Sequence, residues 1–250
     1  MINMSLKIIE TGKSKFNNPV AITGFPDVGL VGSIAVSHIV SAMNLKEIGY
    51  IESDKMPPII VVHDKRPKSP MRLYGNNEFI VAISEIPIPH TMVYELSHAL
   101  VDWFISKDVK MTILLGGLAV QKRMEVEEPG VYGVSTTKKT DNILKKNKIK
   151  FFDEGYIKGQ DGITIRRCME KGLESIYLMA EAHSEYPDPG AAASIVRTVN
   201  KLLNLNLDVK TLLESEEQIR MVTRDLMRRT KQTMKKTQNI QDQEIPAMYG

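Results

Sequence analysis

Pro19-Val20-Ala21-Ile22-Thr23-Gly24, then Phe25-Pro26-Asp27-Val28-Gly29, then Leu30 through Met43: this stretch decides the fold. The first piece is a short continuous apolar run closed by glycine, which predicts a strand buried on both faces. The second is a turn whose aspartate suits the start of a helix. The third sets Leu30, Ile34, Ile39, Val40 and Met43 at helical spacings and predicts a mostly buried helix over 29–43. Strand, tight turn and buried helix make the first half of a βαβ unit. The same alternation continues outward. Ile59-Ile60-Val61-Val62 and Phe79-Ile80-Val81-Ala82-Ile83 are β-branched strand candidates, and His90 to Ile105 carries the next helical pattern. Met111-Thr112-Ile113-Leu114-Leu115 reads as a strand entering a sharp turn at Gly116-Gly117. A further strand is expected near 175–180 and a helix near 190–203. Strands separated by helices predict an α/β domain with a largely parallel sheet covered on both faces.

The last fifth differs. Residues 208–236 read as one long amphipathic helix, with Val209, Leu212, Leu213, Ile219, Val222, Leu226 and Met227 at three- and four-residue steps. Its second half is basic: Arg220, Arg224, Arg228, Arg229, Lys231, Lys235 and Lys236 face one acid, Asp225. That face can bind nucleic acid, complement the helix dipole as a solvated surface, or meet an acidic protein. Residues 237–250 begin polar and poor in apolar groups and are expected to be flexible. The expected organisation is a core domain over 1–207, a helix over 208–236 and a tail over 237–250.

Composition narrows the function. The 250 residues are 42% hydrophobic and 25% charged, with a net charge of +3, so no global attraction to polyanions is implied. Aromatics are scarce at 6%, which disfavours a base-stacking nucleic-acid surface. The single cysteine, Cys168, leaves no internal disulfide and no cysteine-cluster metal site, as expected of a cytoplasmic protein. The opening residues lack the apolar core of a signal peptide, and no apolar run approaches the ~20 residues of a membrane span.

Catalytic motifs are missing. Gly24 to Gly32 sits where a phosphate loop would, but fits neither dinucleotide nor P-loop spacing, and Asp27 would repel a phosphate. The expected role is close helix–sheet packing. His38, His63, His90, His98 and His183 show no metal-ligand spacing. Glu85 in Ser84-Glu85-Ile86-Pro87-Ile88-Pro89-His90 follows a strand toward the carboxyl edge, where ligands bind in open α/β sheets. No partner base is identifiable, so a rigid loop with a solvated acid is the plainer reading. Glu181, His183, Glu185 and Asp188 follow another strand and match no acid–base pair. Cys168, beside Arg166 and Arg167, reads as a structural thiol. The enzymatic alternative is a nucleoside phosphorylase-like or hydrolase-like site built from Glu85, His90 and Glu181.

Met248-Tyr249-Gly250 closes the sequence. It resembles the hydrophobic-tyrosine-any tail of proteasome activators and assembly factors. The order and spacing of GFPDVGLVGSIAVSHIV, SEIPIPHTMVYELSHALVDW, TILLGGLAV and EYPDPGAAASIV also resemble the proteasome assembly chaperone family, in particular its archaeal-type homologues. The resemblance implies a three-layer α/β/α fold with a mostly parallel, mixed sheet, similar to nucleoside phosphorylases and hydrolases. It implies homo-oligomers of four or five subunits, no cofactor and no catalytic residues. The implied partner is the α-ring of the proteasome core particle, bound through Met248, Tyr249 and Gly250; the leading expectation is docking without ATP, with the basic helix face adding electrostatic contact.

Overall fold

The computed structural model describes residues 6–12, 14–121, 123, 126 and 128–244, with side chains through 235. In chain order the strands are β1 (Lys7–Glu10), β2 (Val20–Gly24), β3 (Lys46–Glu52), β4 (Val61–His63), β5 (Arg66–Lys68), β6 (Met71–Gly75), β7 (Phe79–Ser84), β8 (Met111–Ala119), β9 (Val131–Ser135), β10 (Lys150–Phe151) and β11 (Ser175–Ala182). The helices are α1 (Val31–Ala42), α2 (Val93–Ser106), α3 (Lys138–Lys146), α4 (Gly159–Lys171), α5 (Pro189–Leu203), α6 (Lys210–Glu214) and α7 (Glu216–Glu244).

Nine strands form one sheet in the order β1-β3-β6-β7-β2-β8-β11-β9-β10. Its centre, β7-β2-β8-β11, is parallel. Antiparallel strands flank it at both sides. The central strands bury both faces, and the alternation is visible residue by residue. Ile22, Val81, Ile113 and Leu178 join the core under α1, α3 and α5. Ala21, Ile80 and Ala82 face the opposite core under α2, and Leu114, Tyr177 and Met179 meet Ile165 of α4. The result is the expected α/β/α sandwich with a mixed sheet.

Close approach at the start of α1 depends on glycine. A Cβ on Gly24 would stand 2.6 Å from the Gly32 carbonyl carbon, and one on Gly32 would strike the Leu115 carbonyl. The glycine-rich loop is therefore a packing device, as the mismatch with phosphate loops suggests. A 3-10 turn over Val28–Leu30 precedes the helix, so α1 starts at Val31, two residues later than expected from the apolar spacing.

Three expectations are revised. Ile59 to Val62 supplies no strand of the main sheet. Val61–His63 pairs with Arg66–Lys68 as a separate hairpin. Its turn residues Asp64 and Lys65 hold φ of 51° and 63°, the left-handed values of a tight two-residue hairpin turn. Ile60 and Val62 are 61% and 66% exposed, so their apolarity is not core. Gly116-Gly117 is not a sharp turn either, since β8 runs through both glycines to Ala119. The C-terminal helix breaks at Ser215 and then continues to Glu244, beyond Lys236 where its pattern was expected to end. Only part of its apolar stripe is buried: Leu212 and Met227 are, while Leu213 and Val222 are exposed.

Candidate functional site

The carboxyl edge of the parallel strands is where the chain concentrates polar chemistry. Asp27, in the turn after β2, makes no side-chain cap bond to the 3-10 turn Val28–Leu30, but its carboxyl takes a backbone hydrogen bond from Gly32 in the first turn of α1. It reaches across to β8, where the Gly117 N–H donates to Oδ2 at 2.7 Å. Directly beneath lies Gly116. A Cβ there would stand 2.7 Å from Asp27 Oδ2 and closer still to the Tyr177 hydroxyl, so the glycine makes room for both. Tyr177 of β11 hydrogen-bonds Asp161 in the first turn of α4. Burial pushes the Asp161 carboxyl up to about 7. Burial, then the charge of Asp161, holds Asp27 well above the usual carboxylate range. The two acids open on a cavity of about 390 Å³ between the starts of α2 and α4, roofed by Thr230, Thr233 and Met234 of α7.

A second cluster stands at the end of β7. Glu85 is not a solvated acid. Arg72, 4% exposed on β6, donates from Nη2 to Glu85 Oε1 and from Nε to the Tyr74 hydroxyl at 2.8 Å. His63 Nε2 lies 2.8 and 2.9 Å from the two Glu85 oxygens. The cluster ties the β4–β5 hairpin to the sheet and lines a groove of about 1200 Å³ that α1 and α7 also border. His63 and Arg72 escaped sequence reading because neither shares a local pattern with Glu85.

Glu85, His90 and Glu181 do not converge. Glu85 borders the large groove and His90 the smaller cavity. Glu181 accepts from the Gly130 N–H at 2.9 Å and the Tyr132 hydroxyl at 3.1 Å, which fixes the entry to β9. Asp188 is structural too. It caps α5 by accepting from the Ala191 N–H at 2.9 Å and pairs with Arg123 at 2.8 Å. Cys168 is fully buried, and burial pushes its thiol up to about 11, out of nucleophilic range. Among the described residues, no group of three or more His, Cys, Asp or Glu side chains could hold a metal ion. No helix among them is long and apolar enough to cross a membrane.

The basic residues of α7 divide. Arg220 pairs with Glu216 and lies over the Tyr186 ring, Arg228 and Arg229 pair with Asp225, and Lys231 pairs with Glu185. Arg224 and Lys235 are exposed and make no ion pair with another described residue. The Lys236 side chain and Met248-Tyr249-Gly250 lie outside the described residues. Met227 and Thr230, buried at 3% and 1% exposure, hold this helix on the domain.

A model described as the PAC2 family matches residues 21–227. An uncharacterized protein of Methanocaldococcus jannaschii is 33% identical over 233 residues, 93% of this chain and 95% of that one. Pyrococcus furiosus PbaA, described as an archaeal homolog of proteasome-assembly chaperone, superposes with a TM-score of 0.86 at 29% identity, covering 92% of this chain and 99% of PbaA. PbaB of the same organism, described as an archaeal proteasome activator, gives a TM-score of 0.77 at 20% identity over 89% of this chain and 99% of its own, a likeness of fold.

Proposed function

This chain belongs to the PAC2 family, and we propose that it is a proteasome assembly chaperone-like protein that docks on the α-ring of the core particle through Met248, Tyr249 and Gly250. The observation that carries this reading is the likeness to PbaA across nearly the whole chain. The chemistry of the tail supports it. A tyrosine ring buries apolar area while its hydroxyl keeps a hydrogen bond. A terminal carboxylate can pair with a lysine at the base of a pocket between ring subunits. Binding of this kind needs no nucleotide.

The mount for the tail is α7. Its exposed Arg224 and Lys235 offer charge to an acidic ring surface, while Lys231, paired with Glu185, and Arg220, over the Tyr186 ring, join it to the domain. A homo-oligomer of four or five copies in the cytoplasm would present several tails at once, and linked weak contacts add to a strong one. The enzymatic alternative lacks a shared site for its named residues, because Glu85 is held by His63, Glu181 by Gly130, and His90 borders a separate cavity.

The test is a pull-down of core particle by the full chain, by Tyr249→Ala and by a chain lacking the last three residues. Both variants should retain the circular dichroism of the parent and lose at least tenfold in binding. Unchanged capture by both would overturn tail docking.

A further inference from the structure

Residues 138–150 concentrate a charge that the rest of the chain lacks. Six lysines and one acid, Asp141, give this stretch +5, against +3 for the whole chain, so everything outside it is net −2. The stretch forms α3 and β10, the strand at the end of the sheet. Thr140 and Leu144 of α3 are buried, and Leu144 fits against Gly133 of β9, where a Cβ would stand 2.9 Å from its methyls. A capping box between Thr137 and Thr140 fixes the start of the helix. At about 100° per residue, Lys138, Lys139, Lys145 and Lys146 share an arc of about 120° opposite those two buried residues. They form two rungs about 10 Å apart. Lys148 and Lys150 continue the row past the end of the helix. Lys139 pairs with Glu174 at 3.0 Å, and the other five are exposed and make no ion pair with another described residue.

The fold does not require this charge. Lys148 and Lys150 can guard the open edge of β10, but the other four lie on a helix. Lys138 and Lys139 stand in its first turn, where the helix dipole disfavours cations. The residue types also limit the partner. Protein interfaces favour aromatic, Met and Arg anchors and are depleted in lysine, and 138–150 holds none of those anchors. Without an aromatic ring, the stretch gives single-stranded bases nothing to stack on. Its apolar residues, Ile143, Leu144 and Ile149, pack into the core, so none is free to enter a bilayer. A rigid row of point charges suits a rigid row of phosphates. Rungs about 10 Å apart match three phosphate steps along one strand of a duplex, at about 3.4 Å each. We propose that the exposed face of α3, continued by Lys148 and Lys150, binds the phosphate backbone of duplex DNA without reading its sequence.

The test is fluorescence anisotropy of a labelled duplex of about 24 base pairs and mixed sequence, titrated with the full chain at 50 and 200 mM salt. It is repeated with K145Q/K146Q/K148Q and with K65Q/R66Q/K110Q, which removes the same charge at exposed positions elsewhere. The parent should bind saturably and, with about four phosphates neutralised, weaken about a hundredfold between the two salt concentrations. The α3 variant should lose at least tenfold at 50 mM and show a shallower salt dependence, while the second variant stays within threefold of the parent. Unlabelled duplex should displace the probe at least tenfold better than polyglutamate or phosphatidylglycerol vesicles at equal charge. No saturable binding, a smaller loss in the α3 variant, or an equal loss in the second variant would each overturn the proposal. Displacement by polyglutamate or by vesicles as strong as by duplex would overturn it too, and would assign the patch to an acidic protein or to a membrane surface. Thermal melts of the variants confirm that the fold under test is intact. None of these outcomes depends on whether the tail docks on a proteasome.

Discussion

Asp161 carries the clearest consequence at the scale of one residue. Its carboxyl moves from an ordinary 3.8 up to about 7, with burial the leading cause and the Tyr177 hydroxyl only partly opposing it. The folded state therefore binds this proton more tightly than the unfolded chain does. Below pH ~4 both states are protonated and the group is neutral to stability. As pH rises toward 7 the unfolded chain ionises first, and stability falls by up to about 1.4 kcal/mol per pH unit. Asp161→Asn removes this loss while keeping the shape. The variant should be more stable than the parent at pH 8 by up to about 4 kcal/mol, unfolding at a higher temperature, and match it near pH 4. Melting curves at the two pH values check this, and a pH-independent difference would refute the assignment. The sequence showed half of this pair. Asp27 was legible as an acid suited to a helix start and hostile to a phosphate, whereas Asp161 looks like any acid in the first turn of a helix. Only the sheet, by setting β2, β8 and β11 side by side over Gly116, brings them together with Tyr177.

At the scale of elements, α7 is joined to the rest by few side chains. Its anchors are Met227 and Thr230, the packing of Ile219 and Leu226, and one surface ion pair of small worth, Lys231–Glu185. Met227→Ala deletes buried volume at a cost of roughly 2–4 kcal/mol, and that cost falls on the docking of α7 alone. Hydrogen exchange should show at least tenfold faster exchange of α7 amides, with β2 and β8 unchanged. Val222→Ala, at a residue 83% exposed, should leave α7 unchanged. Equal behaviour of the two variants would mean that Met227 is not the anchor. Elements also differed in how well they could be read. β2, β7, β8 and β11 are continuous apolar runs because both faces are covered, so periodicity found them. β1, β3 and β6 mix charge with apolar residues, as flanking strands do, and gave no signal. The Ile59–Val62 run misled because Ile60 and Val62 stay at the surface and only Ile59 packs against the core.

At the scale of the whole molecule, the question is how three terminal residues could hold a large ring. A single short tail buries one aromatic ring and offers one carboxylate, far less than the area of a stable interface. The net charge of +3 adds no strong global attraction. What the chain can add is number and place. Each copy supplies a folded domain and a 29-residue helix, Glu216–Glu244, that precedes its tail in the chain. If several copies act together, the first contact raises the local concentration of the others, and affinity grows by about 10²–10⁴ without any new contact. A synthetic peptide of residues 237–250 lacks that linkage. In a competition assay against labelled full-length chain on isolated core particle, the peptide should bind at least a hundredfold more weakly. The full chain carrying Tyr249→Ala in every copy should fall to the same level or below. A peptide as strong as the full chain would show that the tail acts alone, and that the domain contributes neither avidity nor a surface of its own.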